Sequence, residues 1–170
     1  MEQSNLINQT GENELMQFLG VKIVEASGER VVLTMEVTSK VLQYVGIMHG
    51  GVSLYLCETA GSIGAVAGAD LTNVTPVGIE INANHVRAVS KGVITVEAKP
   101  AYRGRTLNVW NIEITDDRGK LVCTSRFTVN AKASGVPGGI AIAGGNTTGR
   151  ERGRLGECTL ATARVSAFSG

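Results

Sequence analysis

The chain has 170 residues and a mass of 17.8 kDa, which is one ordinary domain with little left over. Sixteen Lys+Arg against 15 Asp+Glu give a net charge of +1, without the basic excess of a dedicated nucleic-acid binder. Three cysteines (Cys57, Cys123, Cys158), with no paired spacing, argue against both a disulfide framework and a zinc site.

Residues 1–14 are polar, with no basic start and no apolar run, and read as a flexible terminus without a secretory signal. A reducing, cytoplasmic compartment is the expectation that follows. Val21–Ala26 and Val31–Val37 are rich in β-branched residues and are separated by a turn at Ser27-Gly28-Glu29-Arg30. A loop over Thr38–Met48 leads into Gly50–Ala69, twenty mostly apolar residues. That is the length of a membrane span, but the segment holds five glycines and a central Glu58. A carboxylate at mid-bilayer costs roughly 2.5–3.5 kcal/mol, so the segment reads as a buried helix. Val52, Leu56, Thr59, Ile63 and Val66 recur at helical spacing and are its expected core face.

Four strand-like runs follow, at about Val77–Val86, Val93–Tyr102, Leu107–Thr115 and Leu121–Asn130. Asp116-Asp117-Arg118-Gly119 marks a hairpin turn between the last two. The third run alternates, with Asn108, Trp110, Ile112 and Ile114 on one side, as a half-buried antiparallel strand does. The order β-β-α-β-β-β-β predicts an α+β domain over residues 15–131, with a long helix wrapped by a curved antiparallel sheet. From Ala131 onward the character changes: Ser134–Gly149 holds six glycines in sixteen residues, and 131–170 carries five basic and two acidic groups. Residues 132–170 read as a flexible Gly-rich extension with no assigned role.

Glu58 is the only charged side chain between His49 and Asp70. A carboxylate isolated in apolar sequence is held either by a structural partner, such as Arg87, or for acid/base or nucleophilic work. Leu54, Glu58, Gly61, Ser62 and Ala65 form a stripe opposite the Val52/Ile63 face. Its small residues leave room for a ligand or let a strand pack closely. His49-Gly50-Gly51 opens the helix, where free N–H groups and the dipole favour an anionic oxygen. A Gly-rich turn that merely starts the helix has the same sequence. Gly50 and Glu58 lie about 12 Å apart along a helix, so one carbonyl cannot touch both in one chain. A two-fold dimer sharing two sites resolves this. His85 and Arg87 share a strand face, and Tyr102-Arg103-Gly104-Arg105-Thr106 is a tight basic connection. Both sets suit phosphate or amide contacts, or are simply solvated. Arg126 is a weaker instance of the same kind.

These residues resemble a known family. Gln43-Tyr44-Val45-Gly46-Ile47-Met48-His49-Gly50-Gly51, then Leu56-Cys57-Glu58-Thr59-Ala60-Gly61-Ser62, is similar to the hotdog-fold acyl-CoA thioesterases of the PaaI type. The run Gly78–Arg87 and the strand Val109–Ile114 resemble more closely the 1,4-dihydroxy-2-naphthoyl-CoA thioesterases of menaquinone synthesis; the 4-hydroxybenzoyl-CoA thioesterases of aromatic degradation are also similar. The resemblance covers about residues 14–130. It implies a hotdog fold, a homodimer whose sheets join, usually a homotetramer, and a site at the dimer interface with no metal and no cofactor beyond the coenzyme A of the substrate. By position it implies that Glu58 is nucleophile or general base, that the Gly50 N–H polarises the thioester carbonyl, and that Gln43 sits beside the thioester. Ser62 then positions water or the acyl group, and His49 supports the loop. His85, Arg87, Gly104, Arg105 and Thr106 fall where the family holds pantetheine and phosphates. Hydrolysis of an acyl-CoA, preferably aromatic, is therefore the expected activity, with no nucleic-acid or membrane partner. A non-catalytic acyl-CoA-binding module and an enoyl-CoA hydratase are the alternatives. The hydratase needs a His and a carboxylate poised together, and His49 and Glu58 are nine residues apart.

Overall fold

The computed structural model describes residues 14–71 and 74–131. The expectations for residues 1–13 and for the extension 132–170 fall outside the described residues. Helix α1, Glu14–Leu19, precedes strands β1 (Lys22–Ala26) and β2 (Val31–Glu36), a 3-10 turn at Ser39–Val41, and helix α2, Gly50–Ala67. Strands β3 (Val77–His85), β4 (Val93–Arg103), β5 (Leu107–Thr115) and β6 (Leu121–Asn130) follow. All six strands form one antiparallel sheet in the order β1-β2-β4-β5-β6-β3. One long helix lies against this sheet, which is the α+β hotdog architecture. No helix among the described residues is long and apolar enough to cross a membrane.

The strands form where alternation and turn chemistry agree. Trp110, Ile112 and Ile114 of β5 are buried, while Asn111 and Glu113 face outward. At the β5–β6 turn, Asp116 Oδ1 accepts hydrogen bonds from the N–H groups of Arg118 (3.0 Å) and Lys120 (2.8 Å), and Gly119 supplies a φ of 70°. Helix α1 was not legible as a helix. Its one buried side chain, Met16, holds it to the body of the domain.

The buried face of α2 differs from the expected one. Leu56 and Ile63 are buried as expected, but Val52, Thr59 and Val66 are only half-buried. The inward line runs instead through Ser53, Cys57, Ala60, Gly61, Gly64 and Ala65. The reason is steric. The sheet supplies the bulk, so the helix turns its smallest residues toward it. A β-carbon on Gly61 would stand 2.5 Å from Cδ1 of Phe127, and one on Gly64 would strike the Trp110 ring. Within the stripe around Glu58, Gly61 thus serves close packing against Phe127. Phe127 and Trp110 are each 1% exposed, and truncation of such a ring costs about 3–5 kcal/mol.

Strand β3 is an edge of the sheet, paired on one side only, with β6. Val77 and Ile79 lie exposed at its start, and Ile79 sits in a bulge between Gly78 and Glu80.

Candidate functional site

The first half of the site is the start of α2. Its cap is His49, in extended conformation, whose Nδ1 accepts from the Gly51 N–H at 2.9 Å. The Val52 N–H turns back to the His49 carbonyl. Gly50 N–H is a first-turn donor with no acceptor among the described residues. The preceding loop is held from both sides. Gln43 and Ile47 are tied by a 2.8 Å backbone bond, Gly46 takes a φ of 77° to close the turn, and the His49 N–H donates to Val41. The side chains of Gln43, Ser53, His85 and Arg87 meet Gly50 around a cavity of about 330 Å³. Arg87 is fixed by a bond from its Nε to the Leu121 carbonyl.

The second half is Glu58, and here the structure corrects the expectation of burial. Glu58 is exposed. The outer face of α2 is open in the single chain, since the sheet covers only the opposite face. The structural pair with Arg87 is not formed. Ion pairs among the described residues join Arg30 to Glu25 and Glu97, Lys99 to Glu97, and Arg103 to Glu29. Glu58 instead borders a cavity of about 430 Å³ with Met16, Tyr55, Thr59, Ser62 and Ile63. Across from it lies Gly78 of β3, whose missing β-carbon would stand 3.4 Å from Oε1 of Glu58.

The expected site residues therefore fall into three groups within one chain. Gln43, His49, Gly50, His85 and Arg87 gather at the start of α2; Glu58 and Ser62 gather farther along the same helix. Gly104, Arg105 and Thr106 touch neither cavity. They belong to the β4–β5 turn, next to Leu107, which pairs with Asn130, which in turn pairs with Val77. His85 is at the other end of β3, about 26 Å away along eight strand residues. Arg126 is exposed on β6. Sequence reasoning missed Ser53 and Tyr55, although both sit at helical spacing from Gly50 and Glu58. Met16 gave no signal, because its place depends on how α1 docks.

Neither buried thiol lines either cavity. The hydrogen bond between them and burial push the Cys57 thiol far above its ordinary range, and the same bond holds that of Cys123 below it. Both are free cysteines in the core.

The geometry can be set against known proteins. Residues 45–123 match the family model described as "Thioesterase superfamily". The chain is 41% identical over 118 residues to the 1,4-dihydroxy-2-naphthoyl-CoA hydrolase of Listeria monocytogenes, covering 69% of this chain and 95% of that one. It is 40% identical over 124 residues to the enzyme of the same name from Escherichia coli K12, covering 72% and 89%. Among solved structures it is similar to a mutant thioesterase from Pseudomonas aeruginosa, with a TM-score of 0.71 and 32% identity over 76% of this chain and 94% of that one.

Proposed function

Because the chain belongs to the thioesterase superfamily and is a thioester hydrolase, we propose that it cleaves an acyl-CoA, preferably aromatic, at two equivalent sites of a homodimer. The observation that carries this reading is the separation of Glu58 from the Gly50 N–H on one helix, each beside its own cavity.

Strand β3 supplies the means of bringing them together. Its outer edge is unpaired, and Val77 and Ile79 are exposed on it. Glu58 stands beside Gly78 near one end of β3, and Gly50 lies under His85 at the other. An antiparallel β3–β3 pair across a two-fold axis sets the Gly78 end of one chain against the His85 end of its partner. That carries each Glu58 toward the other chain's Gly50. The same pairing brings the Gly104-Arg105-Thr106 turn of one chain toward the His85 and Arg87 of the other, so that the two basic sets can share one CoA. Two such dimers form the homotetramer.

In the reaction, the Gly50 N–H and the positive end of α2 stabilise the oxyanion as the thioester carbonyl is attacked. Gln43 holds the thioester. Glu58 either attacks the carbonyl carbon itself, expelling the CoA thiolate and leaving a mixed anhydride that water then hydrolyses to the free acid and the Glu58 carboxylate, or takes a proton from a water that Ser62 positions and that attacks the carbonyl directly, expelling the thiolate and leaving the free acid. By either route the thiolate takes up a proton and one water is consumed. His49, engaged by the Gly51 N–H, orients the loop and moves no proton. This engagement disfavours the hydratase alternative.

A thiol-release screen over benzoyl-, hydroxybenzoyl-, dihydroxynaphthoyl-, phenylacetyl- and fatty acyl-CoA tests the reading. Release is expected, fastest with an aromatic acyl group. Tight binding of the esters without any release would leave a binding module in its place.

A further inference from the structure

The cavity of about 430 Å³ beside Glu58 is built from two elements of unequal weight. All but one of its lining residues come from one face of α2, from Tyr55 to Val66. The exception is Met16 of α1. A bare helix face is convex and encloses nothing, so within one chain Met16 is what turns this face into a cavity. From Glu58 to Val66 the groove follows α2 for about 12 Å, eight residues at the helical rise.

Met16 is fixed where it stands. It is 2% exposed and is the one buried side chain of α1, whose Leu15 and Phe18 are exposed. The chain turns sharply behind it. The Val21 N–H donates to the Met16 carbonyl at 2.9 Å, the Gly20 N–H donates to that of Gln17 at 3.1 Å, and Gly20 takes a φ of 74°. Lys40 clasps the same end: its Nζ donates to the Phe18 carbonyl at 3.3 Å and stands 5.0 Å from the centre of the Phe18 ring. A helix of six residues does not hold itself together in water; these anchors hold it, and what it presents to the cavity is one side chain. Methionine is flexible and unbranched, fills irregular space, and its sulfur is attracted to aromatic rings. Helix α1 also precedes residues 45–123, the span that matches the family model, so this wall is separate from the helix that carries Glu58 and Gly50.

We propose that Met16 sets the size of acyl group the site accepts: the acyl group lies in the groove between α1 and α2, and the Met16 side chain is its limiting wall. This rests on the thioesterase reading of Glu58. In an apolar pocket one methylene more or less changes kcat/KM by roughly tenfold or more. The volume of the side chain at position 16 therefore appears directly in the ratio of rates on a large and a small substrate.

The test measures kcat/KM for 2-naphthoyl-CoA and benzoyl-CoA in the native full-length protein and in Met16→Ala, Met16→Val, Met16→Leu and Met16→Phe. Decanoyl-CoA and hexanoyl-CoA take their place if the protein prefers aliphatic acyl groups. The large-to-small ratio is expected to rise about tenfold in Met16→Ala and by less in Met16→Val. It should stay within about twofold in Met16→Leu, which conserves volume, and fall in Met16→Phe. Truncation at a buried position also lowers the melting temperature. The ratio within one preparation is independent of how much of it is folded, and Met16→Val and Met16→Phe keep the series readable if Met16→Ala does not fold. A ratio that stays constant across the series, with or without a general loss of rate, would make Met16 a packing residue and overturn the proposal. Hydrolysis itself would then still support the thioesterase reading. No thiol release by the native protein from any acyl-CoA would overturn both.

Discussion

His85 closes over Gly50: a β-carbon built on Gly50 would stand 2.9 Å from Nε2 of the imidazole. A side chain at position 50 would therefore push the exposed imidazole aside, next to the N–H proposed to bind the substrate oxygen. Gly50→Ala should displace His85 and crowd the N–H donor. A loss of about a hundredfold in kcat is expected, the scale on which oxyanion donors act. Steady-state thiol release, with circular dichroism to confirm the fold, measures it. His85→Ala in the same background should recover part of the loss, since it removes the obstruction.

Glu58→Ala should lower kcat by at least a hundredfold while leaving stability within about 0.5 kcal/mol, because the side chain is exposed and in no ion pair among the described residues. Denaturant titration and thiol release on the same preparation separate the two effects. A variant with near-normal turnover would remove Glu58 from the chemistry.

The edge of β3 makes the shared site testable without touching either cavity's catalytic groups. Val77→Asp with Ile79→Asp places two charges on the exposed apolar start of that strand. Light scattering should report a monomer, and activity should fall at least a hundredfold. A monomer with full activity would show that one chain suffices.

Gly61→Ala should be costly for a different reason. The added methyl would meet Phe127 at 2.5 Å, in a core that cannot yield without moving the ring. A destabilisation of about 1–3 kcal/mol is expected by denaturant unfolding. Gly64→Ala, facing Trp110, should behave alike.

Asp116 gives a pH prediction with a defined sign. Hydrogen bonds from the backbone N–H of Lys120, then of Arg118, hold its carboxyl below the ordinary aspartate range. Its contribution is therefore complete above the unfolded-state pKa and is lost as pH falls through the lowered folded-state value. Asp116→Asn keeps an acceptor oxygen but does not titrate, so its stability should fall less steeply on acidification than that of the native protein. Thermal melts from neutral pH downward check this.

Much of this molecule was legible because local patterns and tertiary demands agree. The alternation of Trp110, Ile112 and Ile114 and the turn at Asp116–Gly119 each specify their element without help from the rest of the chain. The helix was legible as a helix, but its orientation was not. Hydropathy pointed Val52 and Val66 inward, whereas the rings of Phe127 and Trp110 select glycine and alanine for the contact. Shape complementarity between distant segments overrides hydropathy there, and no single-segment pattern contains it. Glu58 is singled out by its isolation in sequence, yet that isolation did not imply burial. The surface that faces it is unpartnered within one chain.

A last consequence concerns the residue that caps α2. Aspartate is a common choice at such a position, and it would satisfy the same Gly51 donor. It would also install a permanent anion next to the amide proposed to shelter a transient one. Imidazole accepts through Nδ1 without carrying negative charge. The helix thus gains its terminator while the electrostatic field at its tip stays favourable to an arriving oxygen.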